Sequence, residues 1–242
     1  QQGLETLHFC DLKAPLDTTY NPSSTFDETK EVILKALQIM GDDYVTIIEK
    51  AFDHRWIDYA NNVGKSSGAF CASPYAGHPL ILMTFQNNMR DAFTLVHELG
   101  HAGHFYLTNK EQNYFNTAPS MYNVEAPSTM NEMLLGRYLL NNSDDPKMKK
   151  WVILQFMGTY YHNFVTHLLE ANYQRKVYEF AESGQPLTAQ LLTATKLDVL
   201  RTFWGDAVEI DDDAGLTWMR QPHYYMGLYP YTYSAGLTAS TA

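Results

Sequence analysis

The sequence predicts a mainly α-helical domain with a small β element beside one central helix, and three observations carry that expectation. Several segments repeat apolar residues with a period near 3.6. A short β-compatible run, P-L-I-L-M-T-F at 79–85, stands between a proline and the pair Asn87-Asn88. The segment after it, expected to be helical from Asn87 or Asn88 to about Leu107, carries H-E-L-G-H at 97–101. With 45% hydrophobic and 18% charged residues in 242, the chain has the composition and length to bury its own core, read here as one domain over 1–242.

Residues 1–24 hold Pro15, Pro22 and a Ser/Thr/Asn cluster, so an irregular leading segment is expected there. From Thr25 the pattern changes. Val32, Ile33, Ala36, Leu37 and Met40 mark a first helix, with Ser24 or Thr25 as N-cap, acidic Asp27, Glu28 and Glu31 toward its positive end, and Gly41 as its stop. A second helix is expected from about Asp42 to Ala60 through Val45, Ile48, Ala51, Phe52 and Ile57. The Gly/Ser/Pro-rich stretch from Gly64 to Pro79 reads as loop, and Gly64-Lys65-Ser66 lacks the upstream glycine of a phosphate-binding loop. A strand at 79–85 would flank the central helix, either as an ordinary core strand or as an edge whose unpaired amides could hold an extended peptide.

His97 and His101 stand four apart, so on a helix both imidazoles leave one face about a turn apart and can share a metal ion. Glu98 is placed to act on a water at that ion. Zinc suits two neutral imidazoles, and a catalytic zinc site typically has three protein ligands, so a third is expected downstream. Residues 109–121 read as a connecting loop, and a further helix is expected from about Glu125, with Pro127 tolerated in its first turn. Glu125 lies 24 residues after His101 and can supply a carboxylate from that second helix. Glu132, two turns further along roughly the same face, is the rival ligand or a group that orients a ligand histidine.

A long helix is expected from about Pro146 to Ser183. It carries His162 and His167, whose separation of five is no same-face spacing, so both are read as packing or solvent-facing rather than metal-binding. Gly184 and Pro186 end it, Thr188 caps the next helix to about Trp204, and the acidic run G-D-A-V-E-I-D-D-D-A-G reads as a solvated turn without calcium-loop spacing. The last informative stretch, Q-P-H-Y-Y-M-G-L-Y-P-Y-T-Y, concentrates His223 with Tyr224, Tyr225, Tyr229, Tyr231 and Tyr233. Aromatic packing explains some of these, but imidazole and phenol are also good donors to an oxyanion.

Taken together, H-E-L-G-H-A-G-H at 97–104, V-E-A-P-S-T-M-N-E at 124–132 and P-H-Y-Y-M-G-L-Y-P-Y-T-Y at 222–233 resemble the thimet-oligopeptidase family of zinc metallopeptidases, in its oligoendopeptidase F branch. With S-G-A-F and L-M-T-F upstream, the likeness covers most of residues 65–237. It implies a zincin-like helical catalytic domain and one Zn²⁺ per chain held by His97, His101 and Glu125, with Glu98 as general base. His104 is a family feature expected to pack or hydrogen-bond rather than ligate. It implies further that His223 binds substrate and that a tyrosine steadies the transition state, Tyr233 before Tyr231 and Tyr229, because a tyrosine ten residues after the histidine resembles the related angiotensin-converting enzyme.

The expected activity is hydrolysis of internal bonds in oligopeptides. A carboxydipeptidase on the same fold, and an inactive zinc- and peptide-binding fragment, are the alternatives. Family members are usually more than twice this length, so the chain reads as a C-terminal catalytic portion whose partner is the missing N-terminal part of the same protein. A net charge of −10 without a basic stripe argues against nucleic acid, and no run of eighteen apolar residues argues for a membrane span. Cys10 and Cys71 read as reduced thiols. The start, Q-Q-G-L-E-T-L-H, has neither an initiator Met nor a signal pattern, so the chain reads as part of a longer product, expected in the cytoplasm unless a targeting segment stands upstream.

Overall fold

The computed structural model describes residues 3–65 and 68–242, so Gln1 and Gln2 of the leading segment and Ser66 and Ser67 of the Gly/Ser-rich stretch lie outside the described residues. The chain forms two compact units: a larger one, Thr19–Met157 with Ala235–Ala242, and a smaller one, the described part of Gln1–Thr18 with Gly158–Ser234.

The larger unit begins with α1, Phe26–Leu37, whose N-cap Thr25 accepts from the Glu28 amide while the Glu28 carboxylate accepts from the Thr25 amide at 2.8 Å. This reciprocal cap satisfies two amides that the helix cannot bond itself. A single 3-10 turn, Gln38–Met40, leads to Gly41, whose φ of +88° suits only a residue without a side chain, and α2 follows as Asp42–Asp53. That helix is shorter than its apolar spacing predicts. Arg55 takes φ +60° and turns the chain, after which Trp56 and Ile57 are buried at the sheet and the Trp56 carbonyl accepts from the Ile81 amide at 2.8 Å. Strand pairing and burial reward β-branched Ile57 more than another helical turn would.

The sheet has three strands, β1 (Ile57–Asp58), β2 (Phe70–Ala72) and β3 (Leu80–Leu82), in the order β1-β3-β2. Ile57 pairs with Ile81 in the parallel half, and Cys71 pairs with Ile81 in the antiparallel half. The expected strand at 79–85 is therefore the central one, paired on both sides, and an edge open to another chain belongs to β1 or β2. Strand β2 itself lies inside the stretch whose Gly/Ser/Pro content reads as loop. Its partner β3 supplies the ladder bonds that local composition does not announce.

Helix α3, Met89–Glu111, starts where Asn88 accepts from the Asp91 amide, and runs a turn beyond the expected end. It is the most buried element, with Leu95, Val96 and Leu99 fully inaccessible among the side chains of α1, α2 and α4 (Ala126–Asn142). Helices α3 and α4 meet at Gly100, where a Cβ would lie 2.5 Å from Ser128 Cα and 2.6 Å from the Pro127 carbonyl oxygen. This backbone contact is what brings the start of α4 against the histidine face of α3. Asn131 adds a tie, its Nδ2 donating to the Val96 carbonyl at 3.3 Å and to Tyr44 Oη at 3.0 Å.

In place of one long helix over 146–183 stand α5 (Pro146–Tyr161), a π-helical segment (His162–Thr166) and α6 (His167–Glu182). The π segment closes i to i+5, so residues five apart share a face, and the rings of His162 and His167 lie 4.3 Å apart. The expectation that this spacing separates them holds only for a regular α-helix. Helix α7, Ala189–Trp204, is capped by Thr188 as expected. The acidic segment is more ordered than a solvated turn: Asp211 caps a 3-10 helix, Asp212–Arg220, which buries Ala214 and Gly215. A 3-10 turn at Pro222–Tyr225 and helix α8, Tyr231–Thr241, complete the chain. Cys10 and Cys71 are free thiols. Among the described residues no helix is long and apolar enough to cross a membrane.

Candidate metal centre and active site

Helix α3 carries His97 and His101 one turn apart, with ring centroids separated by 5.0 Å. Glu125, the N-cap residue of α4, is fully buried and directs Oε2 to 3.3 Å from His97 Nε2 and 3.5 Å from His101 Nε2. One ligand atom from each of the three residues lies within 4.8 Å of the others, close enough to share one ion. His97 Nδ1–H donates to Glu132 Oε1 at 2.6 Å, which fixes the ring and its tautomer. Glu132 thus bonds the other ring nitrogen of His97 and lies outside this three-residue cluster.

The donor set fits a divalent metal on electrostatic grounds. With Nδ1–H committed to Glu132, His97 Nε2 faces the Glu125 carboxylate, an arrangement that needs positive charge between or on them. Burial alone would lower the His97 pKa, but Glu125 and Glu132 hold it well above its ordinary value, so in the bare chain a proton meets that need. Burial likewise works to raise Glu125, and the two histidines overcome it and hold the carboxyl below the carboxylate range. Two imidazoles and a carboxylate are a set that zinc accepts.

Glu98 is buried beside this cluster, and its Oε2 has no hydrogen-bond partner among the described residues. Burial raises its pKa, and His97 and His101 offset part of that rise. A carboxylate held toward neutrality in this way is suited to accept a proton. Cys71 of β2 lies near enough to feel it: burial, then the Glu98 charge, push the thiol up to about 12. His104 stays outside the cluster, its ring stacked against Phe105 at 6.3 Å.

The other expected site residues belong to the smaller unit. Tyr233 Oη lies 3.4 Å from His223 Nε2 and donates to Tyr229 Oη at 3.3 Å, and the His223 and Tyr229 rings stack at 5.2 Å. Tyr231, half-buried, stands two positions before Tyr233 on α8 and therefore on another side of the helix. Sequence reasoning passed over Asn131, which ties α4 to α3, and Tyr44 of α2, which bonds Asn131, and also Glu170 and Gln221, which bond each other in the smaller unit. Asn131 has a faint signal, a lone amide in the largely apolar run M-N-E-M-L-L.

Residues 10–242 match Peptidase family M3, and the chain belongs to that family. It is 36% identical over 239 residues to the oligopeptidase PepF of Bacillus subtilis (strain 168), covering 99% of this chain and 36% of that protein. A similar likeness, 32% over 238 residues, joins it to the oligoendopeptidase F homolog of Borreliella burgdorferi, with 98% of this chain and 40% of the relative covered. The crystal structure of oligoendopeptidase-F from Enterococcus faecium superposes with a TM-score of 0.62 at 25% identity, over 98% of this chain and 35% of that one. The chain thus spans well under half the length of these relatives, and the mainly α, zincin-like fold expected from the sequence is the fold observed.

Replacing Glu132 by Ala frees the His97 ring and removes the acceptor that selects its tautomer. Metal affinity is expected to fall on the order of 10- to 100-fold with the fold retained. Competitive titration against a zinc-binding dye measures this, and an unchanged affinity would show that the hydrogen bond is incidental.

Proposed function

We propose that this chain is the catalytic portion of a zinc-dependent oligoendopeptidase that hydrolyses internal bonds of oligopeptides. The observation that carries the reading is the convergence of His97, His101 and Glu125 on one point, with Glu98 buried beside it and Glu132 behind His97. Zinc held there would supply Lewis-acid polarisation of the scissile carbonyl and a lowered pKa for water. Glu98 takes the proton of the attacking water and passes it to the leaving amine, as its raised proton affinity suits. His223 and Tyr233 are assigned to hydrogen-bond the peptide and the developing oxyanion, with Tyr229 and Tyr231 contributing to substrate binding.

The test is incubation of the zinc-loaded chain with an oligopeptide blocked at both ends, followed by mass mapping of the products. Internal cleavage that stops with a chelator and returns with Zn²⁺ is expected. Release of C-terminal dipeptides from unblocked peptide only would favour a carboxydipeptidase. Stoichiometric zinc and peptide binding without hydrolysis would favour a binding fragment that needs the remainder of the longer protein for activity.

A further inference from the structure

We infer that the π-helical segment and the side-chain sequence His167–Glu170–Gln221 form a bracket that positions Tyr233 and His223, making His167 a positioning residue for the reaction. The inference rests on the proposed oligopeptidase role of Tyr233. Its geometry lies entirely within the smaller unit.

The bracket starts from the backbone. In the π segment the His167 amide bonds to the His162 carbonyl, five residues back, and the regular pairing with the carbonyl four residues back, that of Asn163, is given up. Asn163 O accepts from Ser234 Oγ, the residue after Tyr233, so the irregularity in one helix anchors the start of another. The same change of phase turns His167 inward, where it is 2% exposed and its ring lies on the Tyr233 ring, centroids 4.2 Å apart and planes 10° from parallel. A phenol hydroxyl sits at the far end of its side chain, so a stacked partner that fixes the ring plane also fixes the oxygen.

The stack is held in turn. His167 Nδ1–H donates to Glu170 Oε2 at 2.8 Å, one helical turn on, and Gln221 Nε2 donates to both Glu170 oxygens at 3.1 and 3.2 Å. Gln221 immediately precedes the turn that carries His223. Burial alone would raise Glu170, but His167, Lys196 and Gln221 keep it below its ordinary value and therefore ionised as the acceptor. One carboxylate thus joins the ring under Tyr233 to the segment bearing His223, and Tyr233 Oη meets His223 Nε2 at the other end. A buried carboxylate is costly unless paired, and here His167 and Gln221 together satisfy both oxygens of Glu170, so the pairing that offsets the cost also fixes the two segments to each other.

The experiment compares His167→Ala, His167→Phe and Glu170→Gln, each alone and combined with Tyr233→Phe, on the zinc-loaded chain with the blocked peptide. His167→Ala is expected to lower kcat on the order of 10- to 100-fold with KM and zinc content nearly unchanged. His167→Phe, which restores a ring, should recover part of that loss. In the Tyr233→Phe background His167→Ala should cost nothing further, because the group it positions is gone. An equal loss in both backgrounds, or an effect on KM alone, overturns the bracket while leaving the role of Tyr233 intact. A Tyr233→Phe variant with unchanged kcat removes that role and the inference with it. Independently of turnover, the part of the Tyr233 ring-current shift that the stacked His167 contributes, beside the edge contacts of His223 and Tyr229, should be lost in His167→Ala and restored in His167→Phe; an unchanged shift in His167→Ala overturns the stack. If His167→Ala does not fold, Glu170→Gln and His167→Phe carry the same comparison.

Discussion

Glu98→Gln is expected to lower peptide turnover on the order of 10³-fold or more while zinc stays bound and the protein stays folded. The substitution keeps the side chain's shape and removes only its ability to take a proton. Glu98 is not among the three converging ligands, so metal content should not change. The stability argument points the same way. A buried carboxylate whose Oε2 meets no donor among the described residues carries a desolvation cost that His97 and His101 offset only in part, so a neutral isostere should leave the thermal midpoint unchanged or higher. Loss of activity together with unimpaired stability would separate a proton carrier from a structural residue. Undiminished cleavage by the variant would sink the proposed mechanism, because no other carboxylate is offered for the step. Turnover, zinc content and melting temperature of one preparation decide it.

How much of this was legible before the fold is a question about which forces are local. Thr188 caps its helix as the sequence predicts, and Thr25 and Asn88 are each one of the two adjacent candidates the sequence offers, since a side-chain oxygen bonding an amide two or three residues on is a local event. The pairing of His97 with His101 was equally readable, because a regular helix converts a spacing of four into a shared face. Glu125 was harder. Spacing alone left it level with Glu132, and only the family resemblance separated them; in three dimensions both touch His97, one at each ring nitrogen. What stayed hidden depended on distant partners. Strand β2 exists because β3 lies beside it, and α2 stops at Asp53 because Trp56 and Ile57 are worth more in the sheet and core. The π segment was invisible because period counting presumes 3.6 residues per turn, and one inserted residue turned His162 and His167, a pair whose spacing of five points to different faces of a regular helix, into neighbours.

Glu125→Ala should abolish the stabilisation that zinc confers, and the structure makes this the most discriminating ligand to remove. Metal that binds only the folded state raises its stability by about 4 kcal/mol at a thousandfold excess over Kd, which reads as a clear upward shift of the melting temperature. Glu125 is fully buried and its backbone is wedged: a Cβ on Gly236 would come within 2.8 Å of Glu125 Cβ. The carboxylate therefore has little freedom to be replaced by a neighbour, and Glu132 is already engaged on the opposite nitrogen of His97. With Ala at 125, His97 and His101 remain as two ligands of three, and the zinc-dependent shift should disappear. With Ala at 132 it should shrink but persist, since the three converging atoms are untouched. The reverse order, a preserved shift in Glu125→Ala and a lost one in Glu132→Ala, would transfer the ligand role to Glu132 and make Glu125 a buried counter-charge. Because the two carboxylates approach different nitrogens of one imidazole, only a readout of metal binding separates them; an activity assay would register both as losses.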